Sequence, residues 1–116
     1  MGQAFRDLQA GHRAMALAEA VYELSKSFPR EELYGLTGQL RRSALSIPSH
    51  IAEGSSSNSL GEFKQFPGVA RGWTYEVRTQ VESARNLKFV SPEKVQGVWG
   101  LAHEAGRMLY ALLESL

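Results

Sequence analysis

His50-Ile-Ala-Glu53 sets an imidazole and a carboxylate three residues apart, on one face of any helix that carries them. Such a pair can ligate a metal. A di-metal site in a helical bundle, however, needs Glu-x-x-His on two helices, with further glutamates facing inward. None of His12, His50 and His103 has a glutamate three residues upstream, so neither a metal nor a cofactor is expected. Nucleophilic chemistry also lacks a setting. The chain has no cysteine, and none of its many serines sits in a G-x-S-x-G turn. There is no phosphate-binding G-x-x-x-x-G-K and no dinucleotide fingerprint. The expectation is a protein without catalytic residues.

The cations carry more information. Lys64, Arg71, Arg78 and Arg85 recur every seven residues, which makes one basic stripe along a helix, and Arg41 and Arg42 add two more upstream. In one reading all six contact phosphates of RNA or DNA, and binding weakens steeply with salt. In the other they form a solvated face or pair with acids of another subunit. Arg78 and Glu82 stand four apart, with Glu62 and Glu76 nearby. Few aromatic residues interleave with these cations, so base stacking is not expected. The formal net charge is only +1, so any nucleic-acid case rests on where the charges lie.

Four helical segments must position these residues. Leu17, Val21, Leu24 and Phe28 share one face of the first, about 5–27, with Phe5, Leu8 and Met15 extending the stripe backwards. Pro29 stops it and suits the first position of a single helical turn. The second opens near Thr37 as N-cap, buries Leu36, Leu40, Ala44, Ile47 and Ile51, and closes at Gly54 in a left-handed cap. Pro48 interrupts its hydrogen-bond ladder at Ala44, with Ser46, Ser49 or His50 as polar compensation. Glu53 faces the negative end of the helix dipole, which suits either a tertiary partner or simple exposure.

Ser59 to Glu62 reads as a capping box opening the third segment, whose stripe is Phe63, Phe66, Ala70, Trp73, Val77, Ala84 and Leu87. Pro67 predicts a kink or restart near 66–68. Ser91-Pro92-Glu93 opens the fourth, where Val95, Val98, Ala102, Ala105, Leu109, Leu112 and Leu116 make a heptad seam. Gly61, Gly68, Gly72, Gly97, Gly100 and Gly106 fall inside these helices at about 1 kcal/mol each relative to alanine. They suit close helix contact, or a bundle that gains stability by association.

The 116 residues, with 43 % hydrophobic and 22 % charged side chains, suit one domain over 1–116. The fold expected is all-α, an antiparallel up-down four-helix bundle. The opening residues lack the apolar core of a signal peptide, no stretch reaches the ~20 apolar residues of a membrane span, and a cytoplasmic location is expected.

Three stretches resemble a known family: FRDL at 5–8, FPREELYGLTGQLRRSALSIPSHIAEG at 28–54 and ARGWTYEVRTQVESARNLKFVSPEKV at 70–95. They are similar to the bacterial four-helix-bundle proteins encoded by intervening sequences in 23S rRNA genes. Ser46, Pro48, His50, Glu53 and Gly54 lie in the most specific run. The resemblance implies an up-down bundle that assembles as a homopentameric ring, with no established enzymatic activity. It also implies kinship with the accessory protein of diversity-generating retroelements, a similar pentameric bundle held to bind nucleic acid and a reverse transcriptase. RNA or DNA, a protein partner and further copies of the chain are thus the expected partners. The sequence departs from the family pattern at Gly11, His50, Ser57, Pro67 and Trp73.

Overall fold

The computed structural model describes the backbone of residues 2–55 and 60–116 and the side chains of residues 8–54 and 65–116. The apolar periods become four helices, α1 (Gly2–Ser25), α2 (Leu36–Ser55), α3 (Leu60–Asn86) and α4 (Pro92–Glu114), with a 3-10 turn at Arg30–Glu32. No strand occurs among the described residues. Each helix packs on two others, α1 against α2 and α4, and α3 against α2 and α4. The chain therefore runs around a four-sided bundle, and the α1–α2 seam lies opposite the α3–α4 seam. Neighbours are antiparallel: Gly11 early in α1 approaches Ile51 late in α2, and Arg13 of α1 pairs with Glu104 of α4 at 2.8 Å.

Leu17, Val21, Leu40, Ala44, Ile47, Val77, Ala84, Ala102 and Leu109 are buried, which follows the periodicity. Three stripe positions are exposed instead, while Leu36 and Leu116, the latter beyond the end of α4, are half-buried. Leu8 and Met15 are exposed on α1, and Leu87 is 58 % exposed because α3 ends at Asn86. Leu87 instead belongs to the closing turn. There Lys88 adopts φ 65, Phe89 N–H donates to the Ala84 carbonyl and Lys88 N–H to that of Arg85, both at 2.9 Å. This is the paired-bond cap that a helix end makes when the next residue turns left-handed. Phe5, Phe63 and the Ser59–Glu62 capping box lie outside the described residues or side chains.

Other local expectations are corrected by specific contacts. α1 ends at Ser25, two residues short of the expected end, and Pro29 stands just before the 3-10 turn in an extended conformation. Thr37 is not the cap of α2. It is buried inside the helix with an unpartnered Oγ1, and the Glu32 carboxylate instead accepts from Leu36 N–H at 3.1 Å.

Gly54 is not left-handed, since no glycine among the described residues has positive φ, and α2 continues to Ser55. A Cβ at Gly54 would meet the Phe66 Cβ at 2.9 Å, so glycine serves the close approach of α3. α3 does not restart at Pro67, which lies buried within a continuous helix. Ser91 does cap α4: its hydroxyl accepts from Lys94 N–H at 3.4 Å, with Pro92 in the first position.

Candidate nucleic-acid interface

Arg71, Tyr75 and Arg78 follow a four-then-three step along α3 and so share one face. Trp99, His103 and Tyr110 share a face of α4, at steps of four and seven, with Arg107 beside them. The antiparallel packing brings the two faces together, Arg71 opposite Tyr110 and Arg78 opposite His103. What sets their separation is a pair of small buried groups beneath them. Thr74 is fully buried, and its hydroxyl donates to the Arg71 carbonyl at 2.6 Å. A Cβ at Gly106 would stand 3.1 Å from that hydroxyl, so glycine lets α4 settle onto α3 at this level.

Above this contact the side chains alternate between cation and ring. The Arg71 guanidinium lies 4.8 Å from the Tyr110 ring centre and 5.6 Å from that of Tyr75, and donates to the Tyr75 hydroxyl at 3.2 Å. The Arg78 guanidinium lies 5.2 Å from Tyr75 and 4.3 Å from Trp99. Its Nη2 donates to His103 Nδ1 at 3.2 Å, and the His103 ring stacks within 7° of Trp99. Each exposed cation–ring contact contributes ~0.5–1 kcal/mol and, more to the point, fixes where the charge sits.

Arg71, Tyr75, Arg78, His103, Arg107 and Tyr110 line an open cleft of about 390 Å³. Among the described residues no carboxylate forms an ion pair with Arg71, Arg78 or Arg107. A hydrogen bond to the Glu114 carboxylate, together with its charge, holds the Tyr110 phenol above its usual range, with a smaller opposing pull from Arg71.

The six predicted cations do not share one surface. Arg71 and Arg78 meet in the cleft. Arg85 is one heptad further along α3 and is held by Glu82 at 2.9 Å; Glu82 is therefore not the partner expected for Arg78, which turns to α4. The Lys64 side chain lies outside the described residues. Arg41 belongs to the opposite seam, where its Nε donates to Ser25 Oγ at 2.8 Å and its guanidinium covers the Tyr22 ring at 4.8 Å. Arg42 is exposed on α2.

The expectation that aromatics stay apart from the basic stripe is overturned by Tyr75, Trp99 and Tyr110. Two of these rings come from a different helix, and only the exposed periodicity of α4 could have drawn attention to them.

Of the motif residues of α2, Gly54 and His50 meet α3, and the serines bond within their own helix. Ser46 Oγ donates to the Arg42 carbonyl and Ser49 Oγ to that of Leu45, both at 2.8 Å, so neither takes the place of the Pro48 N–H at the Ala44 carbonyl as the sequence suggested. His50 Nδ1–H donates to the Ser46 carbonyl at 2.7 Å, and its ring lies 6.4 Å from both Phe66 and Trp73 of α3. Glu53 is exposed in the last turn and has an interaction partner. Among the described residues no three histidine, aspartate or glutamate side chains converge as metal ligands, and no helix is long and apolar enough to cross a membrane.

Residues 6–111 match the model of the 23S rRNA-intervening sequence protein family. The chain belongs to that family. The bundle of this 23S rRNA-intervening sequence protein is similar to a crystal structure from Bacteroides thetaiotaomicron, described as a protein of unknown function from the S23 ribosomal protein family. The TM-score is 0.86 at 18 % identity, covering 94 % of this chain and 98 % of that one, which makes it a likeness of fold. Comparison with curated proteins gives no match.

Proposed function

We propose that this family member is a non-enzymatic, cytoplasmic helical-bundle protein that assembles as a homo-oligomer, a pentameric ring by its family resemblance, and binds RNA. The observation that carries this reading is the α3–α4 cleft. Arg71, Arg78 and Arg107 line it, and none of the three forms an ion pair with a carboxylate among the described residues. Three cations lining one cleft favour a polyanion that enters among them. A phosphate backbone supplies that charge, and guanidinium groups bind it with directional, paired hydrogen bonds. Arg85 and Lys64 extend the same helix in both directions. Arg41, on the opposite seam, and Arg42, exposed on α2, stand outside this single surface.

A second reading assigns the protein to an adaptor role in which the same arginines pair with acids of a neighbouring copy. The outer face of α3 favours it: Val69 is exposed beside Gly68 and Gly72, around which no other group approaches within 4 Å.

One experiment separates the two. Assembled protein is titrated into labelled mixed-sequence RNA at low salt, for the native chain, Arg71→Glu/Arg78→Glu and Arg41→Glu/Arg42→Glu, with the mass of each measured in parallel. Loss of RNA binding in the first pair at unchanged mass supports the RNA reading. Loss of assembly in that pair, with no RNA binding by the native protein, supports the adaptor.

A further inference from the structure

We infer that the α3–α4 cleft accepts unpaired nucleotides, with bases stacking into its cation–aromatic ladder while the phosphates meet its arginines. This rests on the RNA reading above and narrows it from a charged surface to a site that distinguishes single strands from duplex.

Charge alone would not need these rings. A surface that tracks duplex phosphates is built from cations and from N–H and O–H donors, and the faces of aromatic rings add nothing to it. Here Tyr75, Trp99 and Tyr110 stay 50 %, 39 % and 47 % exposed while clustered around two arginines. Grouped exposed rings of this kind mark a contact surface rather than leftover core. Their arrangement is ordered as well. Tyr110, Arg71, Tyr75, Arg78 and Trp99 follow one another in space, each guanidinium within 5.6 Å of two ring centres, and His103 stacks on Trp99.

Ring and guanidinium planes are the two surfaces on which proteins stack bases splayed out of loops, bulges and ends. In a duplex the base faces are covered by their neighbours, so this ladder has nothing to stack against. The cleft volume of about 390 Å³ falls at the lower end of the ~300–1,000 Å³ range for small-ligand sites, which suits one nucleotide at a time rather than a helical groove. The Arg78–His103 hydrogen bond and the Trp99–His103 stack fix the ladder before a ligand arrives, so less ordering is lost on binding.

The test compares a labelled 12-nucleotide single-stranded RNA with the 12-base-pair RNA duplex, on unmodified protein at matched ionic strength. Tighter binding of the single strand, together with a fall of about tenfold in its affinity in Tyr75→Leu/Tyr110→Leu and an unchanged salt slope, is the expected result. A Trp73→Phe variant leaves Trp99 as the sole tryptophan, and its fluorescence should be quenched by the single strand and not by the duplex. Duplex binding as tight as single-strand binding, with the leucine variant unaffected, overturns this inference and leaves the RNA reading standing. Binding of neither RNA at low salt overturns both.

Discussion

Arg78 Nη2 on α3 lies 3.2 Å from His103 Nδ1 on α4, and because a guanidinium only donates, the imidazole accepts through Nδ1. Neutral His103 therefore carries its proton on Nε2. The bond ties the one arginine that touches both Tyr75 and Trp99 to the opposite helix. His103→Leu removes the acceptor and keeps the volume. RNA affinity should fall a few-fold while stability, read by urea unfolding, stays within about 0.5 kcal/mol, as at other exposed positions. His103→Gln offers an amide oxygen in place of the ring nitrogen and should recover part of the loss. Equal affinity in all three proteins would detach His103 from the site.

The glycines divide by what surrounds them, and their alanine variants should divide in the same way. At Gly54 a Cβ would meet the Phe66 Cβ at 2.9 Å, an atom too close to its own backbone to yield. Gly54→Ala should destabilise by ~1–3 kcal/mol, the usual cost of overpacking. Gly72 has open space around it, and Gly72→Ala should stabilise the folded chain by ~0.5–1 kcal/mol through helix propensity. Opposite signs in urea midpoints are expected. A stabilising Gly54→Ala would mean that the α2–α3 contact is not as close as described, and a destabilising Gly72→Ala that its surroundings are not open.

Tyr110 provides a pH-dependent check. The Glu114 carboxylate raises its folded pKa above the ordinary 10.0. The stabilisation from that pair is fully present below the unfolded phenol value and is lost as pH rises through the folded one. Absorbance titration, with Tyr110→Phe to assign the signal, should show the Tyr110 midpoint falling in Glu114→Gln. The native protein should also lose its stability advantage over that variant in strongly alkaline solution. An unmoved midpoint would show that Glu114 does not hold the phenol.

The core of the bundle was legible because burial and helical period coincide. Val95, Val98, Ala102, Ala105, Leu109 and Leu112 are all buried, as their alternation of three and four steps demands. Chain ends and close approaches were less legible. Gly54 looks like a helix stop in sequence, and only the position of Phe66 reveals that it is a packing site. Thr37 looks like a cap, but Glu32 reaches across the preceding turn to fill that role. The candidate site was half visible: the heptad spacing of Arg71 and Arg78 put them on one face of α3. Tyr75 stands between them on α3, but the rest of their surroundings come from α4, 21 to 39 residues away in the chain, and a linear reading of local composition does not join them.

The salt dependence of single-stranded RNA binding addresses the proposed site most directly, because it counts the cations engaged. If Arg71 and Arg78 each neutralise a phosphate, the slope of log affinity against log salt should become shallower by ~0.7 for each arginine replaced, about 1.4 for Arg71→Gln/Arg78→Gln. Arg41→Gln/Arg42→Gln, on α2 and outside this cleft, should leave the slope unchanged. A slope that does not respond to Arg71 and Arg78, or that responds equally to Arg41 and Arg42, would contradict the assignment of RNA binding to the α3–α4 cleft.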